Sequence, residues 1–277
     1  MYHKGGGDGN ARRCPSVNAL ACGSGVAENF HAMPHPMSRW KAASIHLVAS
    51  CVLALLAFLL LFFVWYPPPL FAAGGGDRLV VLLLSIDIVL GPLLTLVVFR
   101  SGKRGMRFDL TVIAVLQLSA LAYGLHVMAV ARPVWLVYAV DRFVAVSANA
   151  IDPLDAGQAP PEFRAQSWTG PRVVGAQLPE GDEAMTQLAS AFAGKDIEQS
   201  PRYYVDYQRV RGEAVRRRKP LAGLAATNAA AVAAFVAKHG GAEADYGYLP
   251  LVARSRDVAA VVDGTGNVVG YIDAKPW

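Results

Sequence analysis

Three long apolar runs dominate the first half of the chain, and short β-rich segments with turns take over after about residue 131. The first run, about 45–65, contains no charged residue. The second, about 79–99, contains one carboxylate, Asp87, together with Pro92. The third, about 110–130, is again uncharged. Each approaches the ~20 residues that a helix needs to cross a bilayer. None shows the polar stripe of a helix that packs on a soluble core. The pattern predicts a three-helix transmembrane domain over 37–131. The first run exceeds the roughly 7–15 apolar residues of a signal peptide and ends in Trp65-Tyr66, an aromatic pair suited to the membrane interface. It is expected to remain as an uncleaved span.

The second half has a different rhythm. Pro133–Val140 and Phe143–Ser147 flank Asp141-Arg142 and predict a hairpin rising from the membrane. A Pro- and Gly-rich connection is expected from Pro153 to Pro179, then a short helix over Gly181–Phe192. Ala225–His239 is the clearest soluble helix, stopped by Gly240-Gly241. Tyr248–Ala253, Asp257–Val262 and Val268–Ile272 read as strands, the last two separated by the turn Asp263–Asn267. The expected architecture is therefore an α+β membrane protein: three transmembrane helices followed by a small mixed α+β domain over 132–277, in the order β-β-α-α-β-β-β. Residues 1–36, with Gly5-Gly6-Gly7 and scattered Pro and His, lack periodicity. They are expected to be a disordered cytoplasmic tail, or to precede a natural start at Met37.

Composition supports the membrane reading. Of 277 residues, 54% are hydrophobic and only 17% charged, against roughly 25% charged in an ordinary soluble domain. The net charge of +5 suggests at first an anionic partner such as nucleic acid. Its distribution points elsewhere. Residues 1–130 hold ten Lys/Arg and five acids, whereas 131–277 hold sixteen of each. Nine of the ten basic residues in the first half lie before the first run or between the second and third; Arg78 is the exception. Positive charge on short flanking segments marks the cytoplasmic side. The N-terminus is thus expected inside and the C-terminal domain outside, in the periplasm of a bacterial inner membrane, with no nucleic-acid partner. That domain contains no cysteine, which excludes disulfides within it.

Candidate chemistry is sparse. Asp87 is costly inside a span unless it is paired or wetted. Matching depths at 1.5 Å per residue point to Tyr123, with His126 one turn nearer the outer surface, and place Gln117 near the level of Thr95. Three readings are open: a buried Asp–Tyr hydrogen bond that locks the second helix to the third, a polar docking point for another transmembrane helix, or proton translocation, for which no chain of further carboxylates exists. Gly91-Pro92 removes a backbone hydrogen bond and should kink the second helix or leave a groove. Asp109 is expected to cap the third helix at the interface or to complement its dipole. Arg216-Arg217-Arg218-Lys219 reads as a solvated helix end. Tyr203–Tyr207 reads as a core strand or a protein-binding surface. Cys14 and Cys22 make a poor metal pair, and neither a metal nor a cofactor is expected. Hydrolase, zinc-protease, P-loop and dinucleotide motifs are missing, so no catalytic activity is expected.

Several segments together resemble one family. Met37–Ala42, Ile45-His46-Leu47 and Phe63–Pro67 are similar to the start of the type IV pilin accessory proteins of the TfpX/TfpZ type. Asp87–Leu96 is similar to that family's most distinctive segment, and Arg107–Leu110, Gln117-Leu118, Ala120-Leu121 and Tyr123-Gly124 to its third span. The likeness is strong from Met37 to about Asn149. It implies an inner-membrane, chaperone-like helper that stabilises or escorts type IV pilin for pilus assembly. Asp87 and the Gly91-Pro92 groove would then engage the pilin's membrane helix, with residues 133–277 touching its head. The competing class is a membrane-anchored periplasmic ligand-binding or signalling protein, which lacks room for a cytoplasmic output domain. Neither reading predicts homo-oligomerisation.

Overall fold

The computed structural model describes residues 37–277, which form one compact unit. Helix α1 (Arg39–Trp65) is capped by Ser38, whose hydroxyl accepts from the Lys41 amide, and its last turns widen over Leu60–Trp65. A one-turn helix, α2 (Leu70–Ala73), leads to α3 (Gly76–Val98), and α4 (Met106–Ala131) follows. These helices begin three to six residues before the three expected runs and end within one residue of them, and α1, α3 and α4 are long and apolar enough to cross a membrane.

Their packing is that of helices in lipid. Small residues face inward: Ala42, Ala43, Ser50, Ala54 and Ala57 of α1 are buried, as are Gly91 and Thr95 of α3. Large apolar side chains such as Val48, Val81, Val97 and Leu116 face outward. Where the surroundings are themselves apolar, helices gain by close backbone approach rather than by hiding leucine, so small residues line the contacts. Leu61, Tyr66, Phe71, Val80 and Met128 hold the bundle together at the end that carries the sheet, and Tyr66 donates its hydroxyl to the Met128 carbonyl at 2.9 Å.

Eight strands form one mixed sheet: β1 (Pro133–Ala139), β2 (Arg142–Ser147), β3 (Arg172–Ala176), β4 (Tyr204–Asp206), β5 (Lys219–Pro220), β6 (Gly247–Val252), β7 (Val258–Val262) and β8 (Val268–Ile272). The order is β4-β3-β1-β2-β6-β7-β8, with β5 paired to the start of β6. Pairings β1–β3 and β2–β6 are parallel, and the others are antiparallel. Helices cover both faces: α5 (Pro153–Gln158), α6 (Pro161–Arg164) and α9 (Leu221–His239) on one, α8 (Tyr207–Arg217) on the other. Helix α7 (Asp182–Phe192) precedes β4. Coverage on both faces explains why Pro133–Ala139 is buried at every position rather than alternating.

Three expectations need correction. The Pro153–Pro179 connection contains α5, α6 and β3, because Pro153 and Pro161 open helices, where a missing N–H costs nothing. Tyr203–Tyr207 is not one strand: Tyr204–Asp206 pairs with β3, then Asp206 caps α8 through the Gln208 amide. The expected order β-β-α-α-β-β-β therefore lacks α5, α6, β3, β4, α8 and β5. Arg216 and Arg217 do form a helix end, while Lys219 pairs with Tyr248 in the sheet. Helix α9 is also long and apolar enough to cross a membrane. It cannot do so in this fold, since β5 immediately before it pairs with β6 just after it. Both ends of α9 belong to one sheet.

The segment between α1 and α3 is a structural plug. Leu70 and Ala73 are buried in the sheet core with Leu136, Leu251 and Val258, and the Ala73 carbonyl accepts the Ser255 and Arg256 amides. Arg132 stacks on Trp168 at 3.8 Å and donates to the Ala129 and Ser167 carbonyls. Bundle and sheet are thereby one body.

Candidate functional site

The polar groups of the bundle converge on Asp87. Around it α3 widens over Ile86–Leu90, directly before Gly91-Pro92. In a widened turn the Asp87 carbonyl faces position 92, where proline has no N–H to give. Gln117 of α4 supplies the missing donor, its Nε2 lying 3.2 Å from that carbonyl. Gly91 makes this possible: a Cβ there would stand 2.0 Å from Gln117 Nε2. Gly124 permits a similar close approach nearer the sheet, where a Cβ would meet Leu83 at 2.3 Å.

The Asp87 side chain is buried, at 7% exposure, and its Oδ1 has no hydrogen-bond partner. Gln117 Oε1 is also buried without a partner. The amide cannot be turned round to cure this, because Nε2 is needed at the Asp87 carbonyl. Two acceptors without donors are therefore carried by side chains that line the same part of the bundle. His46 of α1 is hydrogen-bonded through Nδ1 to Thr95 Oγ1 at 2.6 Å.

These groups form the floor of a groove. A cavity of about 370 Å³ runs between α1 and α4 in the half of the bundle away from the sheet. Its walls include Ile45, Ala49 and Leu53 on one side and Leu110, Ala114 and Leu118 on the other, with Asp87 and Thr95 between. A second apolar cavity of about 340 Å³ lies between α3 and α4 on the sheet side of Asp87, lined by Leu82, Tyr123 and Gly124 among others. Asp87 lines both.

The expected partners are placed differently. Tyr123 lines the second cavity with Asp87 but is exposed, and no Asp87–Tyr123 hydrogen bond forms. His126 faces outward. Asp109 lies in the first turn of α4, paired with Lys103. Gln117, placed by depth near Thr95, instead reaches Asp87. His46 was not singled out as a site residue. The signal for Gln117 was present, since a proline frees a carbonyl and Gln117 is the one long amide in the third run. Outside the bundle, α7 turns Met185, Leu188 and Phe192 outward. Cys14 and Cys22 lie outside the described residues. Among the described residues no group of three His, Cys, Asp or Glu could hold a metal.

Comparison with known proteins gives the lineage. A family model for the fimbrial assembly protein FimB matches residues 34–75, which span α1 and the plug. The fimbrial assembly protein of serogroup E1 from Dichelobacter nodosus is 32% identical over 185 residues, covering 66% of this chain and 72% of that protein. The chain belongs to the FimB family of fimbrial assembly proteins. A second relative in this family, the serogroup I protein of the same organism, is 33% identical over 144 residues, or 51% of this chain. The aligned region spans 56% of that protein's length. No solved structure matches the chain. Membership of the FimB family agrees with the resemblance to type IV pilin accessory proteins noted from the sequence.

Proposed function

We propose that this FimB-family protein is a non-catalytic inner-membrane accessory factor that stabilises or escorts type IV pilin for pilus assembly. A role in pilus assembly is supported by the fimbrial assembly proteins to which the chain is related. The orientation is supported by Arg39, Lys41, Arg100, Lys103, Arg104 and Arg107, which fall at the end of the bundle opposite the sheet, since short segments rich in positive charge favour the cytoplasmic side. The sheet then stands in the periplasm. In this reading residues 37–131 form the transmembrane domain and 132–277 the periplasmic one.

The observation that carries the proposal is the groove between α1 and α4, which leaves a bundle of three apolar helices short of a fourth. The client's membrane helix occupies that groove while its head lies beside the sheet. Rigid joining of bundle and sheet through Leu70 and Ala73 fixes the spacing between these two contacts. Photocrosslinking of the full chain in native membranes tests this, with a reactive residue at Met185 of α7 and another at Leu53 in the groove. Pilin as the dominant adduct is the expected result. Adducts only with unrelated proteins would end the proposal.

A further inference from the structure

Asp87 Oδ1 and Gln117 Oε1 are two buried acceptors without donors, carried by side chains that line one groove. An unmet buried polar group is costly, most of all where no water competes. Groups of this kind persist where a ligand completes them. We propose that the groove recognises its client helix by a hydrogen-bond donor, an amine, guanidinium, amide or hydroxyl, carried at the depth of Asp87. This rests on the reading of the protein as a holder of a membrane-embedded client and specifies how the client is chosen.

The shape of the groove favours a helix over a small molecule. Its α1 wall runs from Ala42 to Leu53, about 16 Å at 1.5 Å per residue. Ala42, Ala49, Ser50 and Ala114 keep both walls low, as close helix–helix approach requires. The other polar groups of the lining are Ser50 and the hydrogen-bonded pair His46–Thr95, so Asp87 and Gln117 are the lining residues whose buried acceptors lack donors and can read position along an incoming apolar helix. A helix of lipid-like character throughout would leave both unpaired. A helix with one donor at the matching level would seat in one register only. Gly91 contributes indirectly: without a side chain it lets the Gln117 amide approach α3 and bond the Asp87 backbone carbonyl.

The test uses the full chain in native membranes, with a photoreactive residue at Ser50 or Leu118 in the groove, or at Val81 or Val97 on outward surfaces. Pilin adducts are expected from the first pair and not the second. The adduct should map to an apolar segment of pilin that contains a donor residue. Asp87→Leu should lower the groove adduct about 3- to 20-fold, the range set by hydrogen bonds between membrane helices, whereas Asp87→Asn, which keeps an acceptor oxygen, should retain most of it. Because Asp87→Leu could disturb folding, steric variants provide a second measure. Ala49→Phe, which fills the groove, should abolish the adduct, and Val48→Phe, one residue round the helix and outward, should not. Groove adducts with lipid alone or with a second copy of this chain would overturn the inference, as would pilin adducts indifferent to Asp87→Leu in a folded protein. If Met185 captured pilin while the groove did not, the inference and the seating of the client helix in the groove would fail, and the role in stabilising or escorting pilin would stand. Loss of capture at both positions would end both.

Discussion

Replacing Leu70 with alanine should destabilise strands that lie more than sixty residues away in sequence. Leu70 sits between two membrane helices, yet its side chain is 2% exposed and packs with Leu136, Leu251 and Val258 of the sheet. Truncation removes three carbons, worth about 2.4 kcal/mol at ~0.8 kcal/mol per buried methylene. A cavity penalty adds to this, since the surrounding sheet is held by its own ladder and relaxes little, giving about 2.5–4 kcal/mol in total. At about 1.4 kcal/mol per tenfold change, amide exchange in β6 and β7 should accelerate by roughly 60- to 700-fold. The assay is hydrogen exchange with mass spectrometry on the detergent-solubilised full chain. Leu82→Ala serves as control, because Leu82 projects outward from α3 and its removal should change these strands by less than about 0.5 kcal/mol. The reasoning is refuted if Leu70→Ala accelerates exchange only in α2, or no more than Leu82→Ala does.

Gly91→Ala should cost about 1–3 kcal/mol, through overpacking and loss of the Gln117 bond to the Asp87 carbonyl, read as a lower melting temperature in detergent. Glu198 of the sheet unit has its pKa pushed by burial above its ordinary 4.5, so the folded state holds its proton more tightly than the unfolded chain does. The group therefore opposes folding at neutral pH, and stability is regained as pH falls through the raised pKa towards 4.5. Glu198→Gln should raise stability at pH 7 and flatten this slope in denaturant titrations; an unchanged slope would count against it. In a cysteine-free background, a cysteine at Thr265 should react with an impermeant maleimide on spheroplasts and one at Gly102 should not.

The sequence announced the membrane helices through length and uniform apolarity, and their structural bounds differ from the expected ones by only a few residues at most ends. The hairpin β1–β2 and the strands β6–β8 were equally legible, because runs of Val, Ala and Tyr are punctuated by turns. Segments that depend on distant partners were hidden. Strand β3 is only Arg172–Ala176 and becomes a strand by lying parallel to β1, a pairing that no local pattern encodes. The plug was hidden for a similar reason: the short stretch between the first two apolar runs shows no pattern of its own, and Leu70 is buried by the distant Leu136 and Val258. Asp87 was found because an ionisable residue stands out in an apolar run. Its surroundings were not, since depth matching treats helices as straight rods in register. The widened turn at Ile86–Leu90 and the close approach at Gly91 bring Gln117 to Asp87 instead of Tyr123.

The central claim is that this protein protects or escorts pilin waiting in the membrane, and the lifetime of that pool measures it most directly. Pulse–chase labelling of unassembled pilin should show faster loss in cells lacking the protein, with fewer surface pili, and recovery on supplying the wild-type chain. An unchanged pilin half-life together with normal piliation would contradict the account.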